Sequence, residues 1–218
     1  MCIRDRHAPV DIATTVHLRE GHHYRFGARW FVVRHHVSPT FGIEDVTPQI
    51  RTAVALARRS SVAIVFAGDF TTEGADRSSL SLPGDENALI SAVAAVNPHT
   101  IVVLNTGGAV LMPWLKHVAA VLEAWYPGAQ DGAAIAAVLR GAVDPSGRLP
   151  ITFPTSVKEQ PTASDGAFPG VDSVVDYGTA TSALDVGYRW YQAHDVTPLF
   201  PFGYGLDYTC LLYTSRCV

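Results

Sequence analysis

The chain has 218 residues, a formal net charge of −4, 48% hydrophobic residues and 17% charged residues. That composition supports a buried core and excludes a disordered chain. The small net charge, without a long basic run, gives no footprint for nucleic acid or an anionic membrane surface, and no apolar stretch approaches the roughly eighteen residues of a membrane span.

Cys2, Cys210 and Cys217 all lie in the two end segments, leaving residues 3–209 free of cysteine. A disulfide scaffold or a Cys-ligated zinc site is therefore not expected. Residues 1–10, MCIRDRHAPV, have neither the apolar core of a signal peptide nor a helix or strand period. Residues 210–218, CLLYTSRCV, follow the preceding segment without turn chemistry. Both are read as non-native ends, and the chain as a fragment cut at both sides.

In chain order, residues 14–33, TTVHLREGHHYRFGARWFVV, alternate in polarity around Glu20-Gly21, which predicts a β-hairpin; hairpin and linker together occupy 11–46. Thr47-Pro48 is an N-cap and first-turn pair for a helix over 48–59, with Ile50, Val54 and Ala57 on one face. SVAIVFAG, 61–68, is apolar throughout, as expected of a strand covered on both faces.

The order then repeats. A helix is predicted over 85–97, with Leu89, Ile90, Val93 and Val96 at helical spacing and Asn97-Pro98 as its stop. A second strand follows over 100–105, then one helical turn in PWLKHV, a third strand over 119–125, and a helix over 131–140 closed by Gly141. Alternating helices and continuous apolar strands predict an α/β fold, a three-layer sandwich with a mostly parallel sheet, followed by an irregular part rich in Pro and Gly.

In such a sheet, ligands sit outside the carboxyl ends of the strands. Three loops qualify, at 68–84, 105–114 and 125–131. The first, DFTTEGADRSSLSLPG over 69–84, holds Glu73, Asp76 and Arg77. A glutamate just ahead of a glycine can project from the sheet edge as a general acid/base, given a second carboxylate from elsewhere. The ordinary alternative is a solvated loop glutamate. Asp76 and Arg77 read more simply as a loop-shaping ion pair, with the guanidinium bonding backbone carbonyls.

Glu123, inside the third strand, is a lower-ranked second carboxylate. Trp114, Trp125 and Tyr126 could stack on sugars, although aromatics at strand ends usually serve core or rim packing. NTGG at 105–108 lacks the glycine spacing of a nucleotide-binding loop and reads as a tight turn, which disfavours a nucleotide-binding domain. The pairs His22-His23 and His35-His36 offer at most one ligand per face of a strand. No metal and no cofactor are expected.

The segments TEGADRSSLSLPG, LISAVAAVNPHTIVVLNTGGAVLMPWL, VLEAWYPGAQDGAAIAAVLRGAVDPSGRLPITFP, VGYRWY and PLFPFGYGLDYT appear in order over 47–209. Together they resemble the C-terminal α/β sandwich domain of glycoside hydrolase family 3, the β-glucosidase and β-xylosidase family. The resemblance implies a retaining, exo-acting glycosidase acting on a β-linked oligosaccharide or aryl glycoside. Its nucleophilic Asp would lie on an N-terminal (β/α)8 barrel of the same polypeptide, not in this chain. Glu73, at the family's acid/base position, would cross to that barrel as general acid/base; Asp76 and Arg77 would hold the loop, and Trp125 and Tyr126 would lie near substrate.

On this reading the chain alone is inactive, because retention needs two carboxylates about 5–5.5 Å apart. Two segments depart from the family pattern, TATSALD at 179–185 and Asp207 in GLDYT. The segment over 11–46 is read as the tail of an inserted carbohydrate-binding module. Sugar and linkage preference, and the route of export, are not legible here. The rival reading is a non-catalytic α/β module for carbohydrate binding or interaction; an upstream barrel carrying an Asp nucleophile would discriminate the two.

Overall fold

A computed structural model describes residues 47–74, 77, 79–163, 174 and 184–208. The expected hairpin at 11–46, both histidine pairs, the three cysteines and Asp76 lie outside the described residues. Helix α1 (Thr47–Ala57) leads into strand β1 (Ala63–Gly68), helix α2 (Glu86–Ala94) and strand β2 (Thr100–Asn105). A single 3-10 turn over Leu115–His117 precedes strand β3 (Ala120–Glu123), then helix α3 (Asp131–Leu139) and a short helix α4 (Tyr188–Ala193). The three strands form one parallel sheet in the order β1-β2-β3, which gives the expected α/β fold.

Each element follows from its residues. Strand β2, TIVVLN, is rich in β-branched side chains that fit a pleated surface, and Val102, Val103 and Leu104 are fully buried at its centre. Helix α2 turns Ile90, Val93 and Ala94 inward, and α1 contributes Ala57 to the same core. Helix α2 packs on α1 and on both β1 and β2. Gly141, with φ 70°, closes α3 by donating its N–H to the Val138 carbonyl, as its position in the sequence predicts.

Asn97 does more than stop a helix. Buried at 3% exposure, it donates from Nδ2 to the carbonyls of Ala57 (3.0 Å) and Ser60 (2.9 Å), joining the end of α1 to the turn that enters β2. The Ala57 carbonyl ends α1 and belongs to the group that every helix C-terminus leaves without an intrahelical partner.

Strand β1 departs from expectation. Its side chains alternate between buried Val65 and Ala67 and exposed Ile64 (47%) and Phe66 (57%). It is an edge strand of the described sheet, and no described element covers the face that carries Ile64 and Phe66. The run of apolar residues was enough to predict a strand but not the covering of both faces.

The irregular C-terminal part is tied back by backbone bonds: Phe153 bridges Phe200, and Leu149 and Tyr204 pair N–H to carbonyl at 2.8 Å. Asp207, the departure from the family pattern, accepts from Arg148 Nη2 at 2.9 Å with its own side chain only 8% exposed, so it has a local partner. Among the described residues, no helix is long and apolar enough to cross a membrane.

Candidate active site

Because the strands are parallel and in register, with Gly68 beside Asn105 and Leu104 beside Glu123, their carboxyl ends are level. The three loops that follow therefore emerge side by side, where an open α/β sheet places ligands.

The loop after β1 is fastened at its base by Asp69. The Asp69 side chain is 4% exposed and its Oδ2 accepts from Arg77 Nη1 at 2.5 Å. Its Oδ1 accepts from the Gly107 N–H at 2.9 Å and from the Tyr126 hydroxyl at 2.6 Å. Arg77 also donates from Nη2 to the Ala109 carbonyl at 2.8 Å, the backbone contact expected of it. Among the described residues, the acid that Arg77 pairs with is Asp69, eight residues back along the chain.

Tyr126 lies within reach of Thr71 Oγ1 (3.1 Å) as well as Asp69. Its one proton is best used on the carboxylate, which leaves the Thr71 hydroxyl to donate to the phenol oxygen. Burial of the hydroxyl, and then the hydrogen bond to Asp69, raise its pKa above the ordinary tyrosine value. Gly107 sits in this knot with no room for a side chain: an added Cβ would overlap Thr71 Oγ1 and stand 3.0 Å from the Tyr126 ring.

Glu73 lies midway between Asp69 and Arg77, four residues from each, at a turn whose next residue is Gly74 with φ 77°. It is exposed and makes no hydrogen bond or ion pair among the described residues.

The second carboxylate candidate, Glu123, ends β3 and is oriented differently. Its Oε1 accepts the Trp125 N–H at 3.0 Å, and the fully buried Thr106 hydroxyl lies 3.2 Å from each carboxylate oxygen. Burial pushes its pKa up from 4.5 to about 7, against the lowering effect of the Trp125 and Thr106 hydrogen bonds, with the Asp69 charge adding a smaller rise. Thr106 has one proton and a nearer acceptor, the Gly108 carbonyl at 2.9 Å. A protonated Glu123 can then donate to the Thr106 oxygen.

Trp125 takes φ 55°, which costs a bulky residue on the order of 1–3 kcal/mol. Its N–H to Glu123 and its carbonyl, bonded by Asn105 Nδ2 at 3.1 Å, offset that cost. The indole packs against Phe153, ring centroids 6.2 Å apart. Adjacent aromatics thus diverge: Trp125 packs inward and Tyr126 bonds to Asp69. Trp114 is core, 1% exposed, its indole N–H donated to Asn87.

Of the sequence candidates, Arg77 and Tyr126 converge on Asp69, and Glu73 stands on the loop they secure. Asp69, Thr106 and Asn105 were not among those candidates. The available signal was position, since each is at or one residue past the end of a strand.

The glycosyl hydrolase family 3 C-terminal domain matches residues 11–208. Beta-glucosidase B of Emericella nidulans is 46% identical over 183 residues, which is 75% of this chain and 21% of that protein. A beta-glucosidase of Rhizobium radiobacter is 44% identical over 176 residues, covering 78% of this chain and 21% of its own length. Among solved structures, DesR, a beta-glucosidase from Streptomyces venezuelae crystallised with D-glucose, superposes with a TM-score of 0.71 at 51% identity over 74% of this chain and 20% of that one. The beta-glucosidase of Kluyveromyces marxianus in complex with glucose gives 0.72 at 37% identity, covering 78% and 20%. The chain spans about a fifth of the length of these relatives. It belongs to glycosyl hydrolase family 3, of which it carries the C-terminal domain.

Proposed function

We propose that this chain supplies the general acid/base, Glu73, to a retaining, exo-acting β-glucosidase whose nucleophilic Asp lies on a barrel elsewhere in the same polypeptide. One observation carries the reading: an exposed carboxylate, bonded to no other described residue, stands on a loop anchored at both sides of its base, outside the carboxyl ends of a parallel sheet. The β-glucosidase names of the relatives support the substrate class, a β-linked glucoside of an oligosaccharide or aryl group.

The chemistry is balanced by two carboxyl groups. Protonated Glu73 gives its proton to the glycosidic oxygen as the C1–O bond breaks and the distant Asp forms an ester at C1. Ionised Glu73 then takes a proton from water, whose oxygen attacks C1 and releases the Asp. Arg77 and Tyr126 act on this step only through the loop. Trp125 and Tyr126 edge the same face and are proposed to lie near substrate.

The test is Glu73→Ala in the full-length polypeptide. Unactivated disaccharides should lose about 100-fold or more in turnover, while aryl glucosides with good leaving groups should still form the glycosyl-enzyme, because their departure needs no proton. Azide should restore turnover on the activated substrates and give a glycosyl azide of retained configuration. Near-normal hydrolysis of disaccharides would overturn the assignment and make Glu123 the next residue to replace. Residues 8–209 alone should be inert towards aryl β-glucosides and β-xylosides; turnover that disappears on Glu73→Ala would mean that the nucleophile lies within this chain.

A further inference from the structure

We propose that Asp69 is the positioning residue for Glu73, fixing the acid/base loop by joining three loops on one carboxylate. The inference rests on the reading of Glu73 given above. Glu73 has no bond of its own among the described residues, so its place is set by how its loop is closed. That closure runs through Asp69: Arg77 from the far side of the loop, the Gly107 N–H from the loop after β2, and the Tyr126 hydroxyl from the loop after β3. The Thr71 contact depends on it too, because Tyr126 can accept from Thr71 while its own proton is held by Asp69.

The isosteric amide cannot replace this carboxylate. Arg77 and the Gly107 N–H are donors only, and they approach different oxygens of Asp69. An asparagine therefore sets its NH2 against one of them whichever way it is turned. The loop loses its ion pair in either case, and with it either the Arg77 hydrogen bond or the tie to the β2 loop, and the displacement reaches Glu73 four residues on. Misplacing a catalytic group by about 1 Å costs on the order of 100-fold in rate.

The experiment measures kcat and KM for Asp69→Asn, Glu73→Ala and the double variant of the full-length polypeptide, across aryl glucosides of increasing leaving-group pKa. Asp69→Asn should lower kcat/KM about 10- to 100-fold on poor leaving groups and within about threefold on the best, while kcat and KM on the best fall together because deglycosylation also uses Glu73. In the Glu73→Ala background the same substitution should add less than about a twofold loss, because the two residues act on one step.

Equal losses of kcat/KM across all leaving groups, or additive losses in the double variant, would make Asp69 merely structural and overturn the proposal. Absence of any effect would overturn it as well. Should Asp69→Asn fail to fold, Tyr126→Phe removes one of the three donors, keeps the ion pair, and should give a smaller loss with the same leaving-group dependence; a flat profile there counts against the proposal. A normal Glu73→Ala enzyme would instead sink the acid/base assignment itself, which the single variant reports separately.

Discussion

Replacing Glu123 by glutamine should make the protein more stable at pH 8 and leave it nearly unchanged at pH 4. The carboxyl is raised from 4.5 to about 7, with burial as the main cause. A group that holds its proton more tightly when folded contributes stability that is fully present below about 4.5 and lost as the pH rises through about 7. The upper bound on that loss is about 3.5 kcal/mol, at about 1.4 kcal/mol for each tenfold change in proton affinity. Partial exposure of the carboxyl screens the charge, which brings the expected figure to about 1–2 kcal/mol.

Glutamine reproduces the protonated form. Its oxygen can accept the Trp125 N–H, and its NH2 can donate to the Thr106 oxygen, whose own proton goes to Gly108. Urea denaturation of both proteins at pH 4 and pH 8 measures the difference, and the other titrating groups cancel between them. The variant should gain about 1–2 kcal/mol at pH 8 and stay within about 0.5 kcal/mol at pH 4. A difference that does not depend on pH, or a variant less stable at pH 8, would refute the view that Glu123 is ionised against a burial cost.

Gly107→Ala places a Cβ against Thr71 Oγ1 and the Tyr126 ring, and should cost about 1–3 kcal/mol in urea denaturation; a loss under about 0.5 kcal/mol would mean that the loops part easily. Asn97→Ala removes the buried amide that bonds Ala57 and Ser60, and should cost about 1–3 kcal/mol, read as a lowered melting temperature together with faster amide exchange at the end of α1. Retention of the wild-type melting temperature would count against that role.

The order of elements was legible because it is a local property. Continuous β-branched runs and helical spacing locate β2, α2 and α3 to within a few residues. The covering of a strand is not local. VAIVFAG reads as a buried strand by residue type, yet Ile64 and Phe66 lie exposed because they share the one face of β1 that no described element covers. Arg77 was legible as a loop-shaping cation, whereas its acid depends on the path of the intervening chain. Asp69 could not be singled out for a similar reason: its partners are 8, 38 and 57 residues away, and only the alignment of three strand ends brings them to one carboxylate. Trp125 and Tyr126 look interchangeable in sequence, and the left-handed backbone at Trp125 gives them different tasks.

Three carboxylates at one end of the sheet receive three different environments, and the difference bears on which can exchange protons with an outside group. Asp69 is buried but compensated by a guanidinium, an amide N–H and a phenol, so neutralising it would strand donors. Glu123 is half-buried with hydrogen bonds but no described cation beside it, and its proton is directed at Thr106, inside the protein. Glu73 has neither constraint, being exposed and bonded to no described residue. A group that must donate a proton and then take one back needs access to the reacting atoms and no competing partner for either state. Among these three, Glu73 meets both conditions, while Asp69 carries the charge pairing that Glu73 lacks. On the proposed assignment, that division would hold the loop firmly while leaving Glu73 free to exchange its proton.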